Sequence, residues 1–201
     1  MVYVAMNYRV GIFGFAAADV LREQKTLNVG LWDQLAALAW ISANIGSFGG
    51  DPNRVTLFGQ SFGGISVGFH LVAFGGKTPA PLGGAPLFQK AIMTSGAISK
   101  SRPDDFAKLQ TVRVANELKC TNEDGKVDEG SLKCLREAPL DALLNANLDV
   151  AHKTKPSLGF AAFSPVVDGV FLPQDTKELL RQGDFHKGNP LSLAPLTHAQ
   201  I

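Results

Sequence analysis

The feature that most constrains this chain is a serine between two glycines, placed where one structural pattern gives way to another. Val55–Phe58 is an apolar, β-branched run typical of a buried strand, and the residues from Phe62 onward favour a helix. Gly59, Ser61 and Gly63 form a G-x-S-x-G pattern at this junction. A turn this sharp forces the serine backbone into a strained conformation, so we expect both glycines to lie where a Cβ would collide with neighbouring backbone.

A serine at such a turn is well placed to act as a nucleophile. The strand–turn–helix order predicts the nucleophile elbow of an α/β-hydrolase, with the Ser61 hydroxyl at the carboxyl end of the strand. The backbone N–H of Phe62 is then predicted to point to the same place and to stabilise an oxyanion. The alternative is a Gly-rich turn without a catalytic role, because the five-residue pattern also occurs by chance.

The order of the predicted elements favours an α/β fold with a mostly parallel central sheet and flanking helices. Strand and helix alternate through the first hundred residues, as in such folds. Leu31, Leu35, Leu38 and Ile41 mark the buried face of the first long helix, and Trp40 is expected to widen it. The predictions are a strand over Met1–Tyr8, a loop over Arg9–Phe15, a helix over Gly30–Asn44, a helix over Phe62–Phe74 and a strand within Phe88–Gly96.

From Pro103 onward the sequence becomes more charged and favours helices. Between Cys120 and Cys134 it is polar and acidic, which predicts an exposed loop. The predicted elements are helices over Asp104–Leu118, Glu129–Glu137 and Leu140–Asn147, a strand-like stretch over Ala161–Gly169 and a short helix near Thr176–Arg181.

Composition argues against several functional classes. The 201 residues are 45% hydrophobic and 18% charged, with a formal net charge of +1 and no dense run of Lys or Arg, so nucleic acid and anionic membranes are not expected partners. No apolar stretch reaches the length of a transmembrane helix. Four scattered histidines and two distant cysteines do not have the spacing of a metal site, and nothing indicates an oligomeric state.

Several segments resemble the type-B carboxylesterase family, which includes cholinesterases and fungal lipases. The resemblance runs from residue 2 to about residue 187 and implies a partial α/β-hydrolase fold that lacks N-terminal and C-terminal parts. It also implies hydrolysis of small-molecule or lipid esters through an acyl-enzyme on Ser61, with Phe62 as one oxyanion donor and no metal or organic cofactor. The segments that carry it are Asn7–Phe15, Asn28–Gln34, Phe48–Pro52, Val55–Ser61, Ser95–Gly96, Cys120 with Cys134–Arg136, and Pro165–Gly169.

The sequence departs from the family pattern inside the elbow. The family usually has Glu at the position of Gln60, and the neutral amide is expected to weaken electrostatic support for a catalytic histidinium. It usually has Ala at the position of Phe62, and the larger ring is expected to reshape the acyl pocket. Both departures bear on substrate preference more than on reaction type.

Other parts of the family's catalytic machinery are not found in this sequence. Family members are more than twice as long and carry an upstream His-Gly-Gly-Gly-type loop and a downstream acidic residue and histidine. Losing one oxyanion donor costs on the order of a hundredfold in turnover, so we expect this chain to be inactive alone. We expect a domain over residues 1–187 and an unrelated tail over 188–201, such as a read-through or frameshift would produce.

The histidines present do not suggest a catalytic base. Ser61, Asp168 and His198 follow the hydrolase order, but His198 lies in a Pro-flanked tail without a strand-end loop to hold its imidazole. His70 is expected to pack behind the elbow. The remaining two, His152 and His186, are expected to be solvated.

The resemblance favours a disulfide between Cys120 and Cys134. A disulfide implies an oxidising compartment and therefore secretion or the secretory pathway. Two free thiols in a cytoplasmic protein are the alternative, since the sequence begins without the features of a signal peptide.

Two other functional classes remain open at this stage. One is a non-catalytic, cholinesterase-like interaction domain, although such proteins generally lose the nucleophile that Ser61 retains. The other is a different α/β-hydrolase activity, such as that of a peptidase or a thioesterase, which the elbow does not exclude.

Overall fold

A parallel sheet of three strands is present in the part of the chain that the structure describes. The computed structural model describes residues 1–84, 86–98, 101–154, 162–187 and 191–194. The strands are β1 (Thr56–Gln60), β2 (Lys90–Thr94) and β3 (Leu191–Ala194), in the order β1-β2-β3. The register sets Gln60 beside Thr94 and Thr94 beside Ala194, so the carboxyl ends of all three strands lie at one edge. The predicted parallel α/β sheet is therefore confirmed.

The helices agree closely with the sequence pattern. Both helices predicted to follow the first loop are present, and the three predicted between Pro103 and Asn147 are present too, the last of them six residues longer than expected. In chain order the α-helices are α1 (Gly11–Phe15), α2 (Asp19–Glu23), α3 (Val29–Asn44), α4 (Phe62–Val72), α5 (Asp104–Glu117), α6 (Glu129–Glu137), α7 (Leu140–Lys153) and α8 (Thr176–Gln182).

The chain divides into two compact units. The first, the sheet unit, comprises Met1–Asn7, Leu31–Lys100 and Gly169–Ile201. The second, the helical unit, comprises Tyr8–Gly30 and Ser101–Asp168. The sheet unit therefore contains all three described strands, and the helical unit contains the charged, helix-rich segment that the sequence sets apart.

In the sheet unit, α4 packs against β1 and β2. The four apolar residues that predict the buried face of α3 are all buried, namely Leu31, Leu35, Leu38 and Ile41. Trp40 was expected on that face, and this was wrong, because its side chain is 51% exposed and its ring lies against that of Phe48. Phe58 on β1 is also exposed, and exposed and buried residues alternate along this strand.

In the helical unit, a disulfide joins Cys120 to Cys134 with their Cα atoms 5.5 Å apart. The segment from Thr121 to Asp128 is mostly exposed, as the acidic sequence predicts, and Val127 is its one buried residue. Asp128 ends the loop as the N-cap of α6, because its carboxylate accepts a hydrogen bond from the Ser131 N–H at 2.9 Å. The pairing that the family resemblance favours is thus confirmed.

The predictions for the first fifteen residues were wrong. Met1–Tyr8 forms no strand and exposes the side chains of Val2 and Tyr3, because no described strand lies beside it to accept its backbone hydrogen bonds. The segment predicted as a loop contains α1, and the N–H of Ile12 in its first turn donates to the Asn147 side chain at 2.9 Å. A capping partner 135 residues away cannot be read from local sequence.

The strand-like stretch over Ala161–Gly169 is also not a strand. Ala161 lies outside the described residues, and the remainder forms a single bridge, between Val166 and Arg102. The short helix predicted near Thr176–Arg181 is confirmed as α8.

The C-terminal boundary stays a prediction. Strand β3 falls within the expected tail of residues 188–201 and pairs with β2, while His198 lies outside the described residues. No helix in the described ranges combines the length and apolar character needed to cross a bilayer.

Candidate active site

Ser61 lies in the turn between the end of β1 and the start of α4. Its backbone has φ 54° and ψ −119°, a conformation that is costly for a residue with a Cβ, and its side chain is exposed. The Ser61 N–H donates to the Thr94 carbonyl at 2.9 Å, and the Ser61 carbonyl accepts from the Ile65 N–H at 3.0 Å. The structure thus has the strained strand–turn–helix geometry that the sequence predicts, with the hydroxyl at the carboxyl edge of the sheet.

The two glycines of the motif differ in how much space surrounds them. A Cβ on Gly59 would overlap the backbone carbonyl of Gly63 and approach the Gly64 nitrogen to 2.7 Å. A Cβ on Gly63 would meet nothing within 4 Å, so the expectation of a collision at Gly63 was wrong.

Two further glycines, Gly64 and Gly96, have tight backbone packing beside Ser61. A Cβ on Gly96 would overlap the Ser61 carbonyl oxygen and approach the Ile65 nitrogen to 2.9 Å. A Cβ on Gly64 would lie 3.2 Å from both the Gly59 oxygen and the Gly96 Cα. The sequence does contain a signal for Gly96, because the predicted strand ends at Ser95-Gly96. A parallel strand beside β1 would end at the same edge of the sheet as Ser61.

Phe62 and Gln60 flank Ser61 as expected from the chain order. Phe62 is half-buried and is the first residue of α4. Its N–H therefore belongs to the first helical turn, whose N–H groups have no acceptor within the helix itself. Gln60 is exposed at the carboxyl end of β1. The catalytic functions of both residues stay predictions.

His70 is buried at the far end of α4, as predicted. It follows Ser61 by nine residues, which corresponds to about 13 Å along a helix axis. Its Nε2–H donates to the Gln34 Oε1 at 2.9 Å, and the Gln34 amide donates in turn to the Ser66 hydroxyl at 3.2 Å. Burial, together with a smaller contribution from the nearby His186, lowers the pKa of His70 to about 4. This histidine is therefore neutral, already hydrogen-bonded and remote from Ser61.

His186 and His152 differ in their surroundings. His186 was expected to be solvated, and this was wrong, because its ring packs against Phe88 and burial lowers its pKa. The backbone N–H of His186 donates to the Leu71 carbonyl at 2.8 Å, so His186 also lies near the far end of α4. His152 is exposed on α7, as predicted.

A small cavity lies beside His70 and His186. Its volume is about 20 Å³, enough for about one water molecule, and it is lined mainly by apolar side chains such as Leu35 and Phe88. An ester substrate does not fit there.

The Asp168 carboxylate accepts a hydrogen bond from the Asn28 amide at 2.9 Å within the helical unit, which is a structural contact. No group of three or more potential metal ligands occurs among the described residues.

We expect the chain to become less stable as the pH is lowered from 7 to 4, because His70 is buried in its neutral form. An unfolded histidine takes up a proton below pH about 6.5, whereas folded His70 does so only near pH 4, so protons favour the unfolded state between these values. The contribution of His70 to the free energy of unfolding is fully present above pH 6.5. It decreases by up to about 3 kcal/mol as the pH is lowered to 4.

Urea unfolding at pH 7 and pH 4.5 measures this effect. His70→Asn should flatten the pH dependence in this range, and His152→Asn, at an exposed position, should leave it unchanged. An equal slope in the wild type and His70→Asn would contradict the assignment.

The family model for the carboxylesterase family matches residues 1–192 of this chain. A secreted lipase of Arthroderma benhamiae is 39% identical over 185 residues, which cover 92% of this chain and 32% of the lipase. The inactive carboxylesterase-like protein VdtD of Byssochlamys spectabilis is 35% identical over 187 residues, covering 91% of this chain and 30% of VdtD. The chain thus spans about a third of the length of these relatives.

A solved structure supports the same assignment. A PNB esterase superposes with a TM-score of 0.77 at 34% sequence identity, over 95% of this chain and 37% of the esterase. The fold is therefore part of an α/β-hydrolase fold, and the chain belongs to the type-B carboxylesterase family.

Proposed function

We propose that Ser61 is the nucleophile of a lipase-like serine esterase that hydrolyses carboxylic esters through an acyl-enzyme. The observation that carries this proposal is the exposed Ser61 at φ 54° between β1 and α4, in a chain of the carboxylesterase family. A strained backbone costs stability, and such strain is typically found at functional sites. The same strand–turn–helix geometry is that of a nucleophile elbow.

The proposed reaction has two steps. The Ser61 Oγ attacks the ester carbonyl carbon, while a base takes its proton and the N–H groups at the start of α4, including that of Phe62, stabilise the oxyanion. The tetrahedral intermediate releases the protonated alcohol and leaves an acyl-Ser61 ester. Water then attacks this ester, releases the carboxylic acid and restores the hydroxyl.

We propose that the 201 residues alone lack the base for this reaction. His70 is buried, donates to Gln34 and lies about 13 Å along α4 from Ser61. His186 is anchored at the same distant end through the Leu71 carbonyl. Neither imidazole can take the Ser61 proton without a large rearrangement of α4.

Gln60 and Phe62 are proposed to affect substrate preference rather than the type of reaction. Gln60 is exposed at the end of β1 and carries no charge to stabilise an imidazolium formed during catalysis. Phe62 adds a half-buried aromatic ring directly after the nucleophile. We therefore expect smaller acyl groups to react faster than branched ones.

The first test is ester hydrolysis by residues 1–201. We expect turnover of p-nitrophenyl acetate to be no faster than that of the Ser61→Ala variant, because the two described histidines of the sheet unit, His70 and His186, lie at the far end of α4. Robust hydrolysis that is abolished by Ser61→Ala would overturn the proposal that this chain lacks its base, while supporting Ser61 as nucleophile.

The second test addresses the nucleophile directly. In the natural gene product that contains this chain, a fluorophosphonate probe should modify Ser61, and peptide mass spectrometry should locate the adduct. Absence of labelling at Ser61 would overturn the proposed function. It would favour a non-catalytic interaction domain, for which the similarity to the inactive VdtD provides a specific reason.

Peptidase and thioesterase activities are further alternatives that share the elbow. Parallel assays with anilide and thioester substrates of the same acyl group distinguish them from an esterase. We expect the ester to react fastest, because one relative of this chain is a secreted lipase.

We also propose that the chain is made in the secretory pathway. Cys120 and Cys134 form a disulfide, which persists in oxidising compartments, and the Arthroderma benhamiae relative is a secreted protein. Alkylation of the native protein under denaturing, non-reducing conditions should modify neither cysteine.

A further inference from the structure

The turn that follows β2 is in close contact with the backbone of Ser61. The Thr94 carbonyl accepts the Ser61 N–H at 2.9 Å, although Thr94 belongs to the neighbouring strand. Two residues later, a Cβ on Gly96 would overlap the Ser61 carbonyl oxygen. The turn thus contacts the Ser61 peptide on both its N–H and C=O sides.

We infer that the Thr94–Gly96 turn is a positioning element that holds the Ser61 backbone in its strained conformation. This inference rests on the proposed function of Ser61 as the nucleophile. The Thr94 carbonyl fixes the Ser61 N–H, and the missing side chain at Gly96 lets the Ser61 carbonyl approach closely enough to accept from Ile65. The serine is therefore held by β2 as well as by β1 and α4.

Strand pairing explains how the turn keeps its position. Gln60 at the end of β1 pairs with Thr94 at the end of β2, so both strands end at the same level. Ser61 and Ser95 follow directly, and both have φ 54°. Two adjacent parallel strands thus leave the sheet through matching left-handed residues, and each turn limits the movement of the other.

The same segment also supports the start of α4. A Cβ on Gly64 would lie 3.2 Å from the Gly96 Cα, and a Cβ on Gly68 would lie 2.8 Å from the Ile98 Cα. The chain from Gly96 to Ile98 therefore runs against the first turns of α4. A change at Gly96 should be transmitted to Ser61 and the first turn of α4 before it reaches the rest of the sheet unit.

Amide hydrogen exchange, measured by NMR on the 201-residue chain, tests this inference. In Gly96→Ala, the amides of Ser61 and Ile65 should exchange about tenfold faster, because the added Cβ pushes the Ser61 carbonyl away. The Phe74 amide, which donates to the Phe171 carbonyl elsewhere in the sheet unit, should keep its wild-type rate. Ala97→Ser is the matched control, because it adds one atom at the neighbouring, exposed position.

Gly64→Ala provides a second variant in case Gly96→Ala does not fold. Its Cβ would press on the same turn at the milder distance of 3.2 Å, so a smaller increase at the same two amides is expected. Unchanged exchange at Ser61 and Ile65 in the folded variants would overturn the inference. An equal loss of protection at Phe74 would also overturn it, because that pattern indicates a general structural role.

Covalent labelling separates this inference from the proposed function. In the natural gene product, Gly96→Ala should slow fluorophosphonate labelling of Ser61 about tenfold relative to Ala97→Ser. If the wild type is not labelled at all, the proposed function fails, and the exchange experiment still decides whether the turn positions Ser61. If the wild type and Gly96→Ala are labelled equally fast, the positioning inference fails and the proposed function stands.

Discussion

Replacing Gly59 with alanine is expected to lower the free energy of unfolding by about 3 kcal/mol or to prevent folding of the elbow. The reason is that the new Cβ would overlap the Gly63 carbonyl and lie 2.7 Å from the Gly64 nitrogen. These are backbone atoms at the start of α4, so no side-chain rotation can relieve the overlap. Either β1 or the first turn of α4 has to move.

Gly63→Ala is the matched control for this prediction, since it makes the same change four residues away within one motif. Its Cβ would meet nothing within 4 Å, and alanine favours a helix over glycine by up to about 1 kcal/mol. Urea unfolding should therefore show a lower midpoint for Gly59→Ala and an equal or higher midpoint for Gly63→Ala. Similar midpoints for both variants would contradict the elbow geometry.

This pair of glycines also shows how far the sequence could predict the site. The G-x-S-x-G pattern between a strand and a helix was enough to predict the strained turn and the exposure of Ser61. It could not distinguish Gly59 from Gly63, because the collision depends on the direction in which α4 leaves the turn. It also could not identify Thr94 or Gly96, which reach Ser61 only because β2 pairs with β1 in one particular register.

The fold follows the same division between local and long-range information. Periodic segments such as α3 and α6 were predicted to within one residue, because an apolar stripe and an N-cap are local signals. The segments predicted wrongly depend on distant partners. Helix α1 is capped by Asn147, and Met1–Tyr8 has no described strand beside it. Local propensity contains no information about either.

Residues 162–169 were predicted as strand-like for a related reason. Their apolar pattern is that of a buried segment, and Val166 is indeed buried. Its backbone is satisfied mainly by the Asn28 side chain instead of by a neighbouring strand. A buried asparagine that replaces a strand partner cannot be recognised from the sequence of either segment.

Replacing Asn28 with alanine is expected to destabilise the chain by about 4 kcal/mol, the largest effect that we predict. Asn28 is 2% exposed, and its side-chain amide makes three hydrogen bonds in the helical unit. It donates to the Val166 carbonyl at 2.8 Å and to the Asp168 carboxylate at 2.9 Å, and it accepts the Val166 N–H at 2.9 Å. Alanine would leave both backbone groups of Val166 without these partners.

Backbone strain adds to the cost of this substitution. Asn28 has φ 55°, a region that asparagine tolerates better than alanine, so the variant loses conformational preference as well as hydrogen bonds. Asn28→Gly removes the strain but also removes the three bonds, and it should therefore recover only a minor part of the loss. Asn28→Asp keeps an acceptor for the Val166 N–H but places a carboxylate beside Asp168, so it should also be strongly destabilising.

Thermal and urea unfolding of the three Asn28 variants measure these effects, with Asn44→Ala as the matched control. The Asn44 amide makes one exposed hydrogen bond to the Trp40 carbonyl, so its loss should change the free energy of unfolding by about 0.5 kcal/mol or less. If Asn28→Ala were no more destabilising than Asn44→Ala, the Asn28 side chain would not be what holds residues 166–168. Full recovery in Asn28→Gly would instead assign the effect to φ alone, because glycine restores the conformation without restoring a single hydrogen bond.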